Sequence, residues 1–125
     1  MTAVSRIARA GNTLGGRLMA LTGWVGELGT IGARTGQPRR APIGYVARAD
    51  GSLLIGSERG NRGWAANLRA NPAATFTAKG VERRYGARLV GPDERAAAIA
   101  ALRARFGRWA ANTDWGDLFV LEPEA

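Results

Sequence analysis

The chain of 125 residues contains no cysteine and no histidine. Without thiols there can be no disulfide, no thiolate nucleophile and no cysteine-bearing zinc site, and without imidazole no histidine-centred triad or proton relay. Lysine is nearly missing as well: Lys79 stands beside seventeen arginines. No apolar run reaches the 18 or more residues of a bilayer-spanning helix. Arg6, Arg9, Asn12 and Arg17 break up the N-terminal region, which therefore lacks the apolar core of a signal peptide and predicts a cytoplasmic protein. If the chain is an enzyme, ten carboxylates, some hydroxyls and two tyrosines leave the reactive atoms to a cofactor.

What is present describes one globular domain, 46% hydrophobic and 22% charged, of a size that buries a core without staples. The formal charge of +8 and a pI near 11.5 attract anions of every kind, whether nucleic acid, anionic lipid or phosphorylated small molecules. Heavy use of Arg, Ala and Gly also follows from genomic base composition, so charge by itself selects no partner. A basic nucleic-acid-binding domain is disfavoured, because Trp and Tyr are not interleaved with the arginines on one strand face as stacking platforms.

Apolar residues Val4, Ile7, Leu14, Leu18 and Leu21 recur at helical spacing, with Arg6, Arg9 and Arg17 mostly off that stripe. They predict an amphipathic helix over residues 1–22, packed across a sheet or, alternatively, lying on a membrane surface as a peripheral contact. Residues 23–125 then form a single domain. Trp24 to Gly32 reads as a strand with glycines every third residue, which admit another backbone or a ligand. These glycines are not a dinucleotide fingerprint, since no helix follows them, and no Walker A loop precedes Lys79. After a turn over Ala33 to Pro38, Arg39 to Ala49 reads as one strand, with Pro42 placing it at an edge or bulge. Asp50-Gly51 predicts a hairpin into Leu53 to Ser57. Asn61 caps a short helix starting at or near Arg62, pairing Trp64 with Leu68 and ending at Asn71-Pro72. Ala73 to Ala78 and Val81 to Val90 form a hairpin, Pro92 opens a helix burying Ile99, Leu102 and Phe106, and "DLFVLEP" closes the chain as a strand after a linker. The order predicts an α+β architecture, a small antiparallel β-barrel or rolled sheet with packed helices.

Two basic segments could carry chemistry. In "TIGARTGQPRRAPIGY", Arg34, Arg39 and Arg40 sit at the ends of a tight turn, where a phosphate could meet guanidinium forks and free backbone N–H groups together. A solvated basic loop is the alternative. In "GSERGNRGWAANLRANP", Ser57, Arg59 and Arg62 precede a helix N-terminus that could receive an anion, and Trp64 could lie against a planar ring. The alternative there is that Trp64 and Leu68 pin the helix to the barrel.

Together, in order and at their spacing, "TIGARTGQPRRAPIGY" and "IGSERGNRGWAANLRANP" resemble the split-barrel, deazaflavin-dependent nitroreductase family over residues 25 to 125. The resemblance implies a split β-barrel and an oxidoreductase using coenzyme F420, an 8-hydroxy-5-deazaflavin with a phosphodiester and an oligoglutamate tail. FMN is the alternative cofactor. It also implies hydride transfer to a small-molecule electron acceptor, a quinone, enone or nitro compound, and a homodimer. Carried over by motif, Gly32, Ala33, Arg34, Thr35 and Arg39 correspond to the phosphate turn. Arg40, Ala41, Pro42, Ile43 and Gly44 would run along the deazaflavin edge, with Pro42 against the ring. Ile55, Gly56 and Ser57 would meet its other side, Arg59 would sit in the second loop, and Trp64 and Asn67 would close the pocket. Ser57 and Trp109 are the candidates beside the substrate, no residue is expected to be catalytic itself, and no metal is implied. Glu58 departs from the family pattern and would repel a phosphate.

Overall fold

The computed structural model describes residues 25–124, except the side chain of Trp109. The helix expected over residues 1–22, with its membrane contact, lies outside the described residues, as does Trp24. Seven strands make one antiparallel sheet: β1 (Val25–Ile31), β2 (Pro38–Gly44), β3 (Val46–Ala47), β4 (Leu53–Glu58), β5 (Ala73–Ala78), β6 (Val81–Leu89) and β7 (Trp115–Pro123). Three helices are α1 (Trp64–Ala70), α2 (Pro92–Phe106) and α3 (Arg108–Ala111). The sheet order is β2-β1-β5-β6-β7-β4-β3, so the two ends of the order are consecutive pieces of chain, joined at Tyr45. That connection rolls the sheet into the expected barrel.

The segment Arg39 to Ala49, anticipated as one strand, is therefore two. β2 pairs with β1, Pro42 opposite Glu27, and β3 pairs with β4 at the far end of the order. Pro42 does stand on an outermost strand, where a missing N–H is tolerated. Tyr45 turns inward at the corner and meets Phe76 edge-on at 5.0 Å. Hairpins close at Asp50-Gly51 and at Lys79-Gly80, the latter with both residues at positive φ.

Strand alternation sends side chains to two separate cores. On β4 and β7, Leu53, Ile55, Phe119 and Leu121 face inward to a cluster with Leu28, Phe76, Trp64 and Leu68. Leu54, Leu118 and Val120 face outward, where α2 covers them with Leu102, Ile99 and Phe106. Pro92 and the acids Asp93 and Glu94 occupy the first turn of α2, as its dipole favours. α3 was not anticipated; its four residues lie in what reads as linker. The β1 glycines make room for the protein itself: a Cβ on Gly26 would lie 2.2 Å from the Phe76 ring, and one on Gly29 2.2 Å from Thr75 Oγ1.

Candidate functional site

The turn between β1 and β2 is closed by its own backbone. Gly32 N–H donates to Gln37 O at 2.8 Å and Gly36 N–H to Gly32 O at 2.9 Å, with Gly36 at φ +68°. The Thr35 hydroxyl accepts from Gln37 N–H at 3.2 Å. A third tie comes from α1: Asn67 Oδ1 accepts the Ala33 N–H at 2.9 Å, while its Nδ2 donates to Thr30 Oγ1 at 3.1 Å. Among the described residues the N–H groups of Arg34 and Thr35 have no acceptor, and Arg34 and Arg39 have no carboxylate within ion-pair reach. Both arginines are exposed. The result is a rigid bend offering two unspent guanidinium groups and two free backbone donors, a suitable cradle for a multiply charged anion.

β2 divides the remaining expected contacts between its faces. Ala41 and Ile43 point to the barrel interior, where Ile43 is buried, Arg39 lies on the same face but is exposed at the strand's start, and Arg40, Pro42 and Gly44 point outward. Arg40 is bound to Glu27 at 2.6 Å, and that hydrogen bond, then the carboxylate charge, raises its pKa above the usual arginine value. Gly44 lies under the Phe106 ring on the outer core. Of the stretch Arg40 to Gly44 expected along the deazaflavin edge, Arg40, Pro42 and Gly44 share one face of β2, and Ala41 and Ile43 share the other. Ile55 is fully buried among the inner core residues, so it does not border an open cleft.

The second basic segment also differs from expectation. α1 begins at Trp64, two residues after Arg62, and Asn61 Oδ1 accepts the N–H groups of Gly63 and Ala65, which occupies part of the donor set at the start of the helix. Trp64 is 6% exposed and tilts against Phe119 at 6.0 Å, pinning the helix to the barrel instead of presenting a flat face. Arg59 binds Asp114 through Nε at 2.9 Å. Ser57, anticipated beside the substrate, is 2% exposed and donates its hydroxyl to Asp117 O at 2.7 Å. The backbone of Trp109 lies in α3.

A polar cavity of about 320 Å³ opens where β4 ends and β7 begins, lined by Ser57, Arg59, Gly60, Asn61, Arg95 and Asp117 with Glu58, Trp115 and Gly116. Gly56 adjoins it, and a Cβ there would meet the Trp115 ring at 2.6 Å. The sequence reading missed its far wall. Arg95 donates from Nη1 to Gly116 O at 2.7 Å and from Nη2 to Trp115 O at 2.8 Å, bonding carbonyls that β6 is too short to reach. The start of β7 at "TDW" read as linker, and an arginine in a helix carries no signal that it staples a strand. Asp117 joins β7 to α1 by accepting from both Nε and Nη2 of Arg69. That hydrogen bond, against an opposing cost of burial, lowers the Asp117 pKa below its usual value. Asn61 Nδ2 and Trp115 Nε1 are buried donors with no partner among the described residues.

Comparison with known proteins places this geometry. The family model for F420H(2)-dependent quinone reductase matches residues 1–121. Among solved structures, the fold is similar to that of an F420-H2 dependent reductase (FDR-A), with a TM-score of 0.63 and 17% identity over 79% of this chain and 94% of that one. It is similar to a FAD-binding protein from Mesorhizobium loti, with a TM-score of 0.60 and 19% identity over 87% of each chain. A structure described as a domain-swapped dimer matches with a TM-score of 0.63 and 16% identity over 79% of this chain and 80% of that one. At these identities the solved structures establish the fold, whereas the family match spans nearly the whole sequence: the chain belongs to the F420H(2)-dependent quinone reductase family, and is an F420-dependent reductase.

Proposed function

We propose that this protein reduces a quinone with F420H2, and that the β1–β2 turn grips the anionic phosphodiester and oligoglutamate portion of the cofactor. The observation that carries the reading is that, among the described residues, Arg34 and Arg39 hold no carboxylate on a closed turn whose Arg34 and Thr35 N–H groups have no acceptor. Arg40, Arg59, Arg69 and Arg88, by contrast, each hold a carboxylate. The donor set fits the group: paired guanidinium forks and backbone amides suit phosphate and carboxylate oxygens. When bound, the reduced deazaflavin supplies a hydride.

The chain supplies position rather than a reacting atom. The turn holds an anionic handle, and the polar cavity beside Ser57 takes the electron acceptor. The polar lining of the cavity, with Arg59 and Asn61 in it, suits the oxygens of a quinone, and less directly those of an enone or nitro compound. Ser57 is not the proton source, since its hydroxyl is committed to Asp117 O. The proton that completes a quinol after hydride transfer comes from water.

Titration of the purified protein with oxidised F420, followed by deazaflavin fluorescence, tests the binding, with FMN titrated alongside. Oxidation of F420H2 by a quinone, an enone and a nitroaromatic then ranks the acceptors. Tighter binding of FMN than of F420 would sink the cofactor reading, and turnover of the nitroaromatic ahead of the quinone would sink the acceptor. A homodimer, for which likeness to a domain-swapped dimer is the support, is tested by sedimentation. The proposed compartment is the cytoplasm, with any membrane contact of residues 1–22 read out by co-sedimentation with anionic vesicles.

A further inference from the structure

We infer that Asn67 is a positioning residue for cofactor capture, acting through the β1–β2 turn rather than by touching the cofactor. This rests on the reading of that turn as the cofactor grip. Asn67 is 8% exposed at the centre of α1, and its carboxamide is consumed on both sides: Oδ1 by the Ala33 N–H, Nδ2 by Thr30 Oγ1. Its partners lie 34 and 37 residues away in sequence, so the bonds exist only because α1 is packed against the barrel mouth. Thr30 is itself 5% exposed, so its hydroxyl has little access to water as an alternative.

The location of the tie gives it functional weight. Ala33 immediately precedes Arg34, and Thr30 is the cross-strand partner of Arg39. One side chain therefore anchors the backbone beside both unspent arginines. The turn's internal bonds fix its shape, whereas the Asn67 bonds fix its orientation relative to the barrel. Leucine at this position could fill the space, but could not accept from Ala33 or donate to Thr30. A loosened turn would spread Arg34 and Arg39 over many directions, and binding would have to reorder them.

Asn67→Ala separates this role from direct contact and from mere stability. In the cofactor-free protein the Ala33 amide should exchange with solvent at least about tenfold faster, while amides in β7 keep their protection. The dissociation constant for oxidised F420 should rise about tenfold, as for loss of a few hydrogen-bonded contacts, and KM for F420H2 should rise with it while kcat falls far less. In an Arg34→Ala/Arg39→Ala background the same substitution should weaken binding by clearly less than tenfold, about two- to threefold, because only the turn's backbone amides are left for it to orient. Thr30→Val, which removes one of the two bonds and keeps the side-chain shape, should give an intermediate exchange rate and affinity, and serves if Asn67→Ala folds poorly.

Unchanged Ala33 exchange in Asn67→Ala overturns the inference whatever the cofactor does. An undiminished tenfold loss in the double-arginine background overturns it too, since Asn67 would then meet the cofactor itself. If the double-arginine protein binds F420 as the native protein does, it is the reading of the turn that fails, and the exchange data still decide whether Asn67 braces it.

Discussion

The turn over residues 32–37 and the loop over residues 58–63 look alike in the sequence: each is short, rich in glycine and arginine, and set at a strand end. Folding treats them oppositely. In the first, backbone and Asn67 contacts close the turn and leave Arg34 and Arg39 without a carboxylate partner among the described residues. In the second, Asn61 takes the Gly63 and Ala65 N–H groups and Asp114 takes Arg59, so that one arginine, Arg62, is left without a carboxylate partner among the described residues. On the proposed reading, a basic loop serves as an anion site when something other than its arginines holds it together. Glu58, which as a neighbour of a phosphate would oppose it, stands in the second loop.

The comparison is broken most directly by removing charge from each side. Arg34→Ala/Arg39→Ala should weaken F420 binding ten- to a hundredfold or roughly so, since each charge-assisted contact contributes about 1.5–3 kcal/mol at most and part is recovered from the free amides. Equal loss from Arg59→Ala in the same fluorescence titration would move the grip to the other loop. The next largest effect concerns stability. Gly116→Ala would place a Cβ 2.7 Å from Glu58 O and 2.9 Å from Arg59 Cα, backbone atoms that cannot swing aside. The strain should cost about 1–3 kcal/mol, and thermal unfolding should fall by at least about 4 °C. A melting temperature unchanged by that substitution would mean that the loop and β7 are not held in contact, and that the second segment is less fixed than its hydrogen bonds imply.

Much of this frame was legible because it is local. Turn residues located the hairpins at Asp50-Gly51 and Lys79-Gly80, and Pro92 with its acids located the start of α2. What escaped the reading depends on distant partners. The division of Arg39 to Ala49 into β2 and β3 follows from pairing with strands at opposite ends of the sheet order, which no window of sequence contains. The same holds for charge. Arg34, Arg39, Arg40 and Arg59 are equivalent as letters, yet Arg40 finds Glu27 13 residues away and Arg59 finds Asp114 55 residues away. Strand register decides which arginines remain unspent.

A smaller effect sharpens the comparison from the side of α1, which both segments flank. Arg69 holds Asp117 and so ties the helix to β7. Because the folded pKa of Asp117 is lowered, its contribution is complete above the unfolded value near 3.8 and is lost as pH falls through the folded value. Asp117→Asn should therefore lower the melting temperature at neutral pH by about 1–3 °C and flatten its decline below pH 4. A parallel acid decline in both proteins would remove Asp117 from the account.

The smallest effect is the most discriminating between the two loops. The Arg59–Asp114 pair is exposed on both sides, 72% and 71%, so water screens it and each side chain is solvated when parted. Arg59→Ala should shift the melting temperature by less than about 1 °C and F420 affinity by less than about twofold. Asp114→Asn frees Arg59 without deleting it, which makes the second loop resemble the first in charge but not in backbone. If unspent charge alone made an anion site, this variant would gain affinity for F420. Its affinity should stay as it was, because Asn61 Oδ1 still takes the Gly63 and Ala65 N–H groups and the exposed Arg59 is well solvated whether or not residue 114 is charged.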